Sequence, residues 1–238
     1  MPFFMSRAGF TTPLPLLFSL LVATQAYSAG MVPQTPVLVV EESLGEATMN
    51  VRNTDTRPAL LHTTVENIEQ DDEWLLVFTP PMARVEPGEV QQVRFILQNT
   101  QPLRTERLKR VIFEGISPIE GTSGARVNLG VRQNLPVILR PADLPVEREP
   151  WKRLKWSSVG GDLRVFNSSP YVVRLAKAIV PLPGVRSVDL PRTYILPGER
   201  LRLEGVPGAA APVTGVRIFP ATTYGFAVEQ YDAAVINE

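Results

Sequence analysis

The chain has 238 residues, with 24 basic and 24 acidic side chains, 23 prolines, 16 glycines, one histidine and no cysteine. That length holds one large domain or two small ones, and a hydrophobic fraction of 44% is enough to build cores. Zero net charge removes the simple electrostatic case for nucleic-acid binding, absent cysteine excludes disulfides and thiolate metal sites, and a lone His62 excludes multi-histidine centres and leaves little room for a histidine-based triad.

Residues 1–29 carry one charge, Arg7, followed by an apolar run over 14–23 and the small-residue stretch Thr24-Gln25-Ala26-Tyr27-Ser28-Ala29. This is the order of a secretory signal, with cleavage after Ser28 or Ala29. The apolar run is too short to span a bilayer comfortably, so no stable membrane insertion is expected once it is removed. The mature chain then has 23 basic and 24 acidic groups.

Beyond the signal, no long segment shows helical periodicity. Short β-rich runs separated by Pro, Gly, Asn and Asp occur at 37–40, 47–51, 90–97, 111–113 and 127–139. A second series follows at 163–166, 171–179, 193–196, 201–203 and 213–219. Between the two series lies PADLPVEREP, residues 141–150, polar and with three prolines. It divides the chain into a domain over 30–143 and another over 144–238, each near the size of an immunoglobulin-like sandwich. No sequence repeat is evident between the halves.

The run 127–139 is unusual. Its odd positions Val127, Leu129, Val131, Leu135, Val137 and Leu139 are aliphatic, and only Gln133 interrupts them. Side chains alternate faces along a strand, so one face forms an apolar ridge about 43 Å long, beyond the usual 5–6-residue strand. Either the whole ridge packs into its own core, or its first part, Val127, Leu129 and Val131, is offered to another protein.

Residues 79–94 read TPPMARVEPGEVQQVR. Thr79, Pro80, Pro81, Arg84, Glu86, Pro87, Gly88 and Arg94 stand at the spacing of a signature that resembles the periplasmic pilus chaperones, the PapD-like family. Asn53, Leu139-Arg140-Pro141 and Asn167-Ser168-Ser169-Pro170-Tyr171 extend the match, with weaker support from Ile195-Leu196-Pro197-Gly198 and Tyr224-Gly225. In the signature the Pro and Gly residues set turns, and Arg84 and Glu86 read as surface charges.

The resemblance implies an all-β protein of two immunoglobulin-like β-sandwich domains in an L-shaped arrangement. It implies a non-enzymatic periplasmic chaperone, without cofactor, metal or nucleic-acid partner. Such chaperones cap pilus subunits by donor-strand complementation and pass them to an outer-membrane usher. Val127, Leu129 and Val131 fall on the donor positions, and the edge run 37–40 on the family's other contact element. The short segment after Pro118 looks like the short-loop branch. The family's two carboxylate-anchoring cations fall on Val37 and Pro136, which cannot donate to a carboxylate. Arg132 and Arg110 are the substitutes to consider. Of the family's interdomain charge cluster, Glu106 and Arg140 match, while its third, acidic member falls on Thr223.

Other features carry less. Asp71-Asp72-Glu73 reads as a solvated turn, without the alternating ligands of a calcium loop. His62 reads as structural, and Trp151 and Trp156 as core or interface anchors. The second functional reading is a two-domain structural pilin or adhesin. A hydrolase lacks a credible nucleophile–base pair.

Overall fold

The computed structural model describes residues 30–117, 131–184, 186–204 and 213–237. The signal segment lies outside the described residues, as do Val127 and Leu129.

The first half contains β1 (Met31–Pro33), β2 (Leu38–Glu41), β3 (Glu46–Asn53), β4 (Ala59–Glu66) and β5 (Leu76–Thr79). It continues with β6 (Met82–Val85), β7 (Val90–Leu97), β8 (Arg107–Ile116) and β9 (Arg132–Arg140). A sheet ordered β1-β3-β7-β5 faces one ordered β2-β9-β8-β4-β6. Alternation drives the packing: in β7, Val93, Phe95 and Leu97 are buried while Gln92 and Arg94 face water. The core joins Val51, Phe95, Phe113, Val137 and Leu139, with Phe95 and Phe113 edge to face at 6.4 Å. The chain changes sheets between β1, which pairs with β3, and β2, which runs parallel to β9.

A 3-10 turn, Pro150–Arg153, opens the second half. It is followed by β10 (Leu154–Val159), β11 (Asp162–Asn167), β12 (Val173–Leu175), β13 (Ala178–Leu182) and β14 (Val188–Asp189). Then come β15 (Tyr194–Ile195), β16 (Arg200–Leu203), β17 (Gly215–Ile218), β18 (Pro220–Ala221) and β19 (Tyr231–Asn237). The sheets are ordered β14-β13-β17-β19-β10-β11-β16 and β15-β12-β18. Trp151 and Trp156 are both buried in this second core, beside Leu163, Val165 and Val216. The all-β architecture of two sandwiches agrees with the expectation from sequence.

Three sequence readings need correction. The run at 37–40 starts its strand one residue later, at Leu38, and Val37 instead joins a separate apolar cluster between the two halves. Asp71 is not part of a solvated turn: its carboxylate pairs with Arg107 and, at 2.8 Å, with Lys109, whose side chain is 1% exposed. Lys109 also donates to the carbonyls of Asp71 and Glu73, so the acidic run holds a buried cation against the loop before β5.

The third correction concerns the halves, which do share a repeat. Asn53 and Asn167 are both fully buried. The Asn53 amide donates to the carbonyls of Arg57 and Val85, and that of Asn167 to Tyr171 and Ile195; the first acceptor is four residues on in both, and the second is three residues before the turn glycine in both. The backbone N–H groups of Gly88 and Gly198 donate to the two asparagine carbonyls at 2.9 and 2.8 Å. Both glycines have φ 74°, a left-handed value that disfavours any side chain. The motifs Val85-Glu86-Pro87-Gly88-Glu89 and Ile195-Leu196-Pro197-Gly198-Glu199 are thus one turn used twice. Few side chains are shared, because backbone geometry and one buried amide do the work.

Candidate functional site

β9 is the centre of the site. It pairs with β8 over residues 132–139, from Arg107↔Leu139 to Glu114↔Arg132. On its other edge β2 covers only 137–140, from Leu38↔Val137 to Glu41↔Arg140. Among the described residues no strand pairs with that outer edge over 132–136. Pro136 sits at the boundary between covered and open edge, a place where a missing N–H is tolerated.

Burial falls along the same strand. Val137 and Leu139 are fully buried in the first core, while Val131, Gln133 and Leu135 are only partly covered. Val131 itself precedes the strand and lies beside Gly30, where an added Cβ would meet its Cβ at 3.4 Å. The other face of β9 has a different fate. Ile138 joins Val37, Ile68, Leu108 and Val172 in the cluster between the halves, and Pro136 and Arg140 are buried there too. Both faces of the second half of the strand are therefore occupied, and its beginning is only partly covered.

The charge cluster between the halves is present with a different third member. Arg140, 1% exposed, lies 3.4 Å from Glu106, 3% exposed. The other Glu106 oxygen accepts the Val172 N–H at 2.9 Å, and the Glu106 N–H donates to the Pro170 carbonyl at 2.8 Å. Glu106 thus ties the first sandwich to the second. Burial pushes its carboxyl above the usual range, with the Val172 bond and Arg140 opposing. Thr223 does not approach Arg140 as a partner; its hydroxyl donates to the Glu147 carbonyl. Glu41 completes the cluster, 2.8 Å from Arg140. Glu41 and Arg140 are register neighbours on β2 and β9, a relation invisible until those strands are known to pair.

The cleft beside this cluster separates the two anchor substitutes. Arg132 is exposed and bound to Glu66 at 3.1 Å. Arg110 points into the cleft, where its guanidinium donates to the side chain and carbonyl of Asn134 at 2.7 and 2.8 Å. There it lines a cavity of about 80 Å³ with Leu108 and Pro136 on one side and Arg174, Thr193 and Tyr194 on the other. Arg174 escaped the sequence reading, since a single arginine in a short strand carries no pattern. The positions Val37 and Pro136 are apolar and buried. The turn at 222–226 closes on Val37: a Cβ on Gly225 would come within 2.8 Å of Pro36 and 2.9 Å of Val37.

The signature residues lie in turns and in surface ion pairs. Thr79–Pro80 is a cis peptide, Arg84 pairs with Glu86 at 2.8 Å on the surface, and Arg94 pairs with Glu46 across β7 and β3. Glu86, Pro87 and Gly88 form the turn locked by Asn53. His62 lies 3.8 Å from Glu114 on the sheet surface.

Comparison with known proteins agrees with this architecture. The family model for the PapD N-terminal domain, a pili and flagellar-assembly chaperone, matches residues 30–145. The uncharacterized fimbrial chaperone YhcA of Escherichia coli (strain K12) is 42% identical over 219 residues, covering 91% of this chain and 96% of that one. The chaperone protein FimB/FhaD of Bordetella pertussis is 27% identical over 216 residues, covering 81% of this chain and 82% of that one. Among solved structures, the SafB chaperone of Salmonella enterica, in complex with the SafA pilin, superposes with a TM-score of 0.71 at 19% identity. It covers 87% of this chain and 97% of its own. The Escherichia coli chaperone DraB gives 0.69 at 22%, covering 87% and 98%. The two structural likenesses speak for the fold, and the identity to YhcA across nearly the full length speaks for descent: the chain belongs to the PapD-like family of pilus chaperones.

Proposed function

We propose that this protein is a periplasmic chaperone that captures unfinished pilus subunits by lending them the beginning of β9, and that it yields them to an outer-membrane usher. The observation that carries the reading is the open outer edge of β9 over 132–136, ahead of the part covered by β2. An edge of this kind presents unpaired N–H and C=O groups and accepts another strand. Val127, Leu129 and Val131 supply the apolar side chains that enter the subunit's groove. Burying each contributes about 1.5–3 kcal/mol, roughly 5–9 kcal/mol for three before ordering costs, with about 1 kcal/mol for each added edge hydrogen bond. That is sufficient for specific binding without any reaction. Arg110 is the anchor substitute that faces the cleft, while Arg132 already holds Glu66.

Export under the signal at 1–29 supports the periplasmic assignment. Among the described residues no helix is long and apolar enough to cross a membrane. Changing Val127, Leu129 and Val131 together to Asp is expected to leave the far-ultraviolet spectrum and unfolding midpoint intact and to abolish co-purification with a co-expressed fimbrial subunit. Undiminished capture by this variant would overturn the donor role.

A further inference from the structure

The second sandwich carries a basic groove on the outer face of its large sheet. Over 144–238 the chain has 12 basic and 9 acidic side chains, against 11 and 15 over 30–143. Part of the excess gathers on three neighbouring strands. Register sets Lys155 on β10 opposite Phe166 on β11, and Phe166 opposite Arg200 on β16. The next row on the same face is Ile236 on β19, then Ser157, Arg164 and Arg202. Their chain neighbours Trp156, Val165 and Leu201 turn inward to the second core, as alternation requires. The outward side chains line a groove of about 370 Å³.

Folding alone does not call for this arrangement. Arg164 and Arg202 are direct register partners, and like charges opposite each other destabilise a sheet. Of the four cations, Arg202 pairs with Asp162 at 2.6 Å and lies 4.0 Å from Glu204. Lys155, Arg164 and Arg200 have no carboxylate partner among the described residues. The Arg200 guanidinium lies over the Phe166 ring, 3.7 Å from its centre. Such a contact fixes a guanidinium and leaves its in-plane N–H donors available to a carboxylate.

The spacing selects the ligand. Lys155 and Arg200 stand two strands apart, roughly 9–10 Å at the backbone, and Arg200 and Arg202 are about 7 Å apart along β16. One phosphate or sulfate does not span these positions. Carboxylates at alternate residues of an extended chain, also about 7 Å apart, do. Phe166 and Ile236, the latter 65% exposed, add apolar surface beside the charges. The volume falls in the range of ligand sites, about 300–1,000 Å³. An anionic membrane matches less well. A flat surface does not enter a recess, Asp162 and Glu204 stand beside the cations, and Ile236 is the one large exposed apolar side chain among the lining residues.

We propose that this groove docks an extended acidic segment of a partner protein, its alternate carboxylates held by Lys155, Arg164 and Arg200. The groove shares no residue with β9 or with the cavity beside it, so docking and subunit capture are separate functions of the two sandwiches.

The test uses the full mature chain and a short fluorescein-labelled peptide with glutamate at alternate positions. The glutamate peptide is expected to bind saturably by fluorescence anisotropy and more weakly as salt is added, and its glutamine counterpart is not expected to bind. Arg164→Gln combined with Arg200→Gln should weaken binding at least about tenfold. The same variant should keep the wild-type unfolding midpoint and co-purify normally with a co-expressed fimbrial subunit. Arg200→Lys keeps the charge but not the planar fork and should give an intermediate loss. No binding of the glutamate peptide, equal binding of the glutamine peptide, or unchanged affinity in the double variant would each overturn the proposal. So would loss of subunit capture by the folded double variant, which would make the groove part of the capture machinery. Sedimentation with phosphatidylglycerol vesicles that the double variant abolishes would assign the groove to a membrane and overturn it as well.

Discussion

Arg140→Met tests the charge cluster that joins the sandwiches. Arg140 is 1% exposed and lies against Glu106 at 3.4 Å and Glu41 at 2.8 Å. Removing the cation affects the two acids differently. Glu41, 37% exposed, turns to water. Glu106, 3% exposed, keeps only the Val172 N–H and becomes a buried charge without a counterion. Breaking a buried pair in this way costs about 3–5 kcal/mol, whereas replacing both members by neutral groups is close to neutral. The double variant Arg140→Met, Glu106→Gln should therefore be more stable than Arg140→Met alone by about 2 kcal/mol or more. The pH dependence has a definite sign. A carboxyl raised above its ordinary value of 4.5 binds its proton more tightly in the folded state. Stability from this group therefore falls as pH rises from there through the folded value. Arg140→Met removes an opposing influence, so its deficit should be smallest near pH 4.5 and largest at pH 7. Urea unfolding followed by tryptophan fluorescence reads the effect, about 2–4 °C per kcal/mol in a parallel melt. Arg84→Met serves as the surface control, since Arg84 and Glu86 are 67% and 52% exposed and such pairs contribute about 1 kcal/mol or less. An Arg140→Met deficit no larger than the control at pH 7, or a double variant no better than the single, would refute this reasoning.

Asn53→Ala and Asn167→Ala should each cost about 2–3 kcal/mol, because each strands two backbone carbonyls that the amide satisfies, both buried at Asn167 and one of them part-buried at Asn53. Equal losses in equilibrium unfolding are expected from the shared geometry; less than about 1 kcal/mol in either would mean that proline and glycine alone hold the turn. At Asp71, burial opposes the charge, but the bonds from Arg107 and Lys109 outweigh it and hold the carboxyl below its ordinary 3.8. The advantage of the wild-type chain over Asp71→Asn should be full above pH 3.8 and vanish as pH falls through the lowered folded value. A difference independent of pH across acid titration would remove the ion pair as its cause.

Much of the fold was legible because it depends on local pattern. The alternation in 90–97 marks β7 to the residue, since each side chain's face follows from its parity. The family signature was legible for a related reason: proline and glycine at fixed offsets impose a turn wherever they occur. The repeated asparagine lock was not. Asn53 and Asn167 lie 35 and 31 residues from the glycines they meet, so the motif is discontinuous in each half. Asp71 was misread because a run of acids in sequence says nothing about a lysine brought in from β8.

The amino-acid order by itself determined the β architecture, the two sandwiches and the alternating aliphatic run that leads into the strand β9, which begins at Arg132. These follow from side-chain parity and turn chemistry, which act over a few residues. Tertiary structure decided which part of that strand is left open, because coverage depends on where β2 begins its parallel pairing. It also decided that Glu41, not residue 223, completes the cluster at Arg140, and that Arg174 faces Arg110 across a small cavity. Each is a meeting of groups distant in the chain, and the free energy of a buried charge depends on what surrounds it in space.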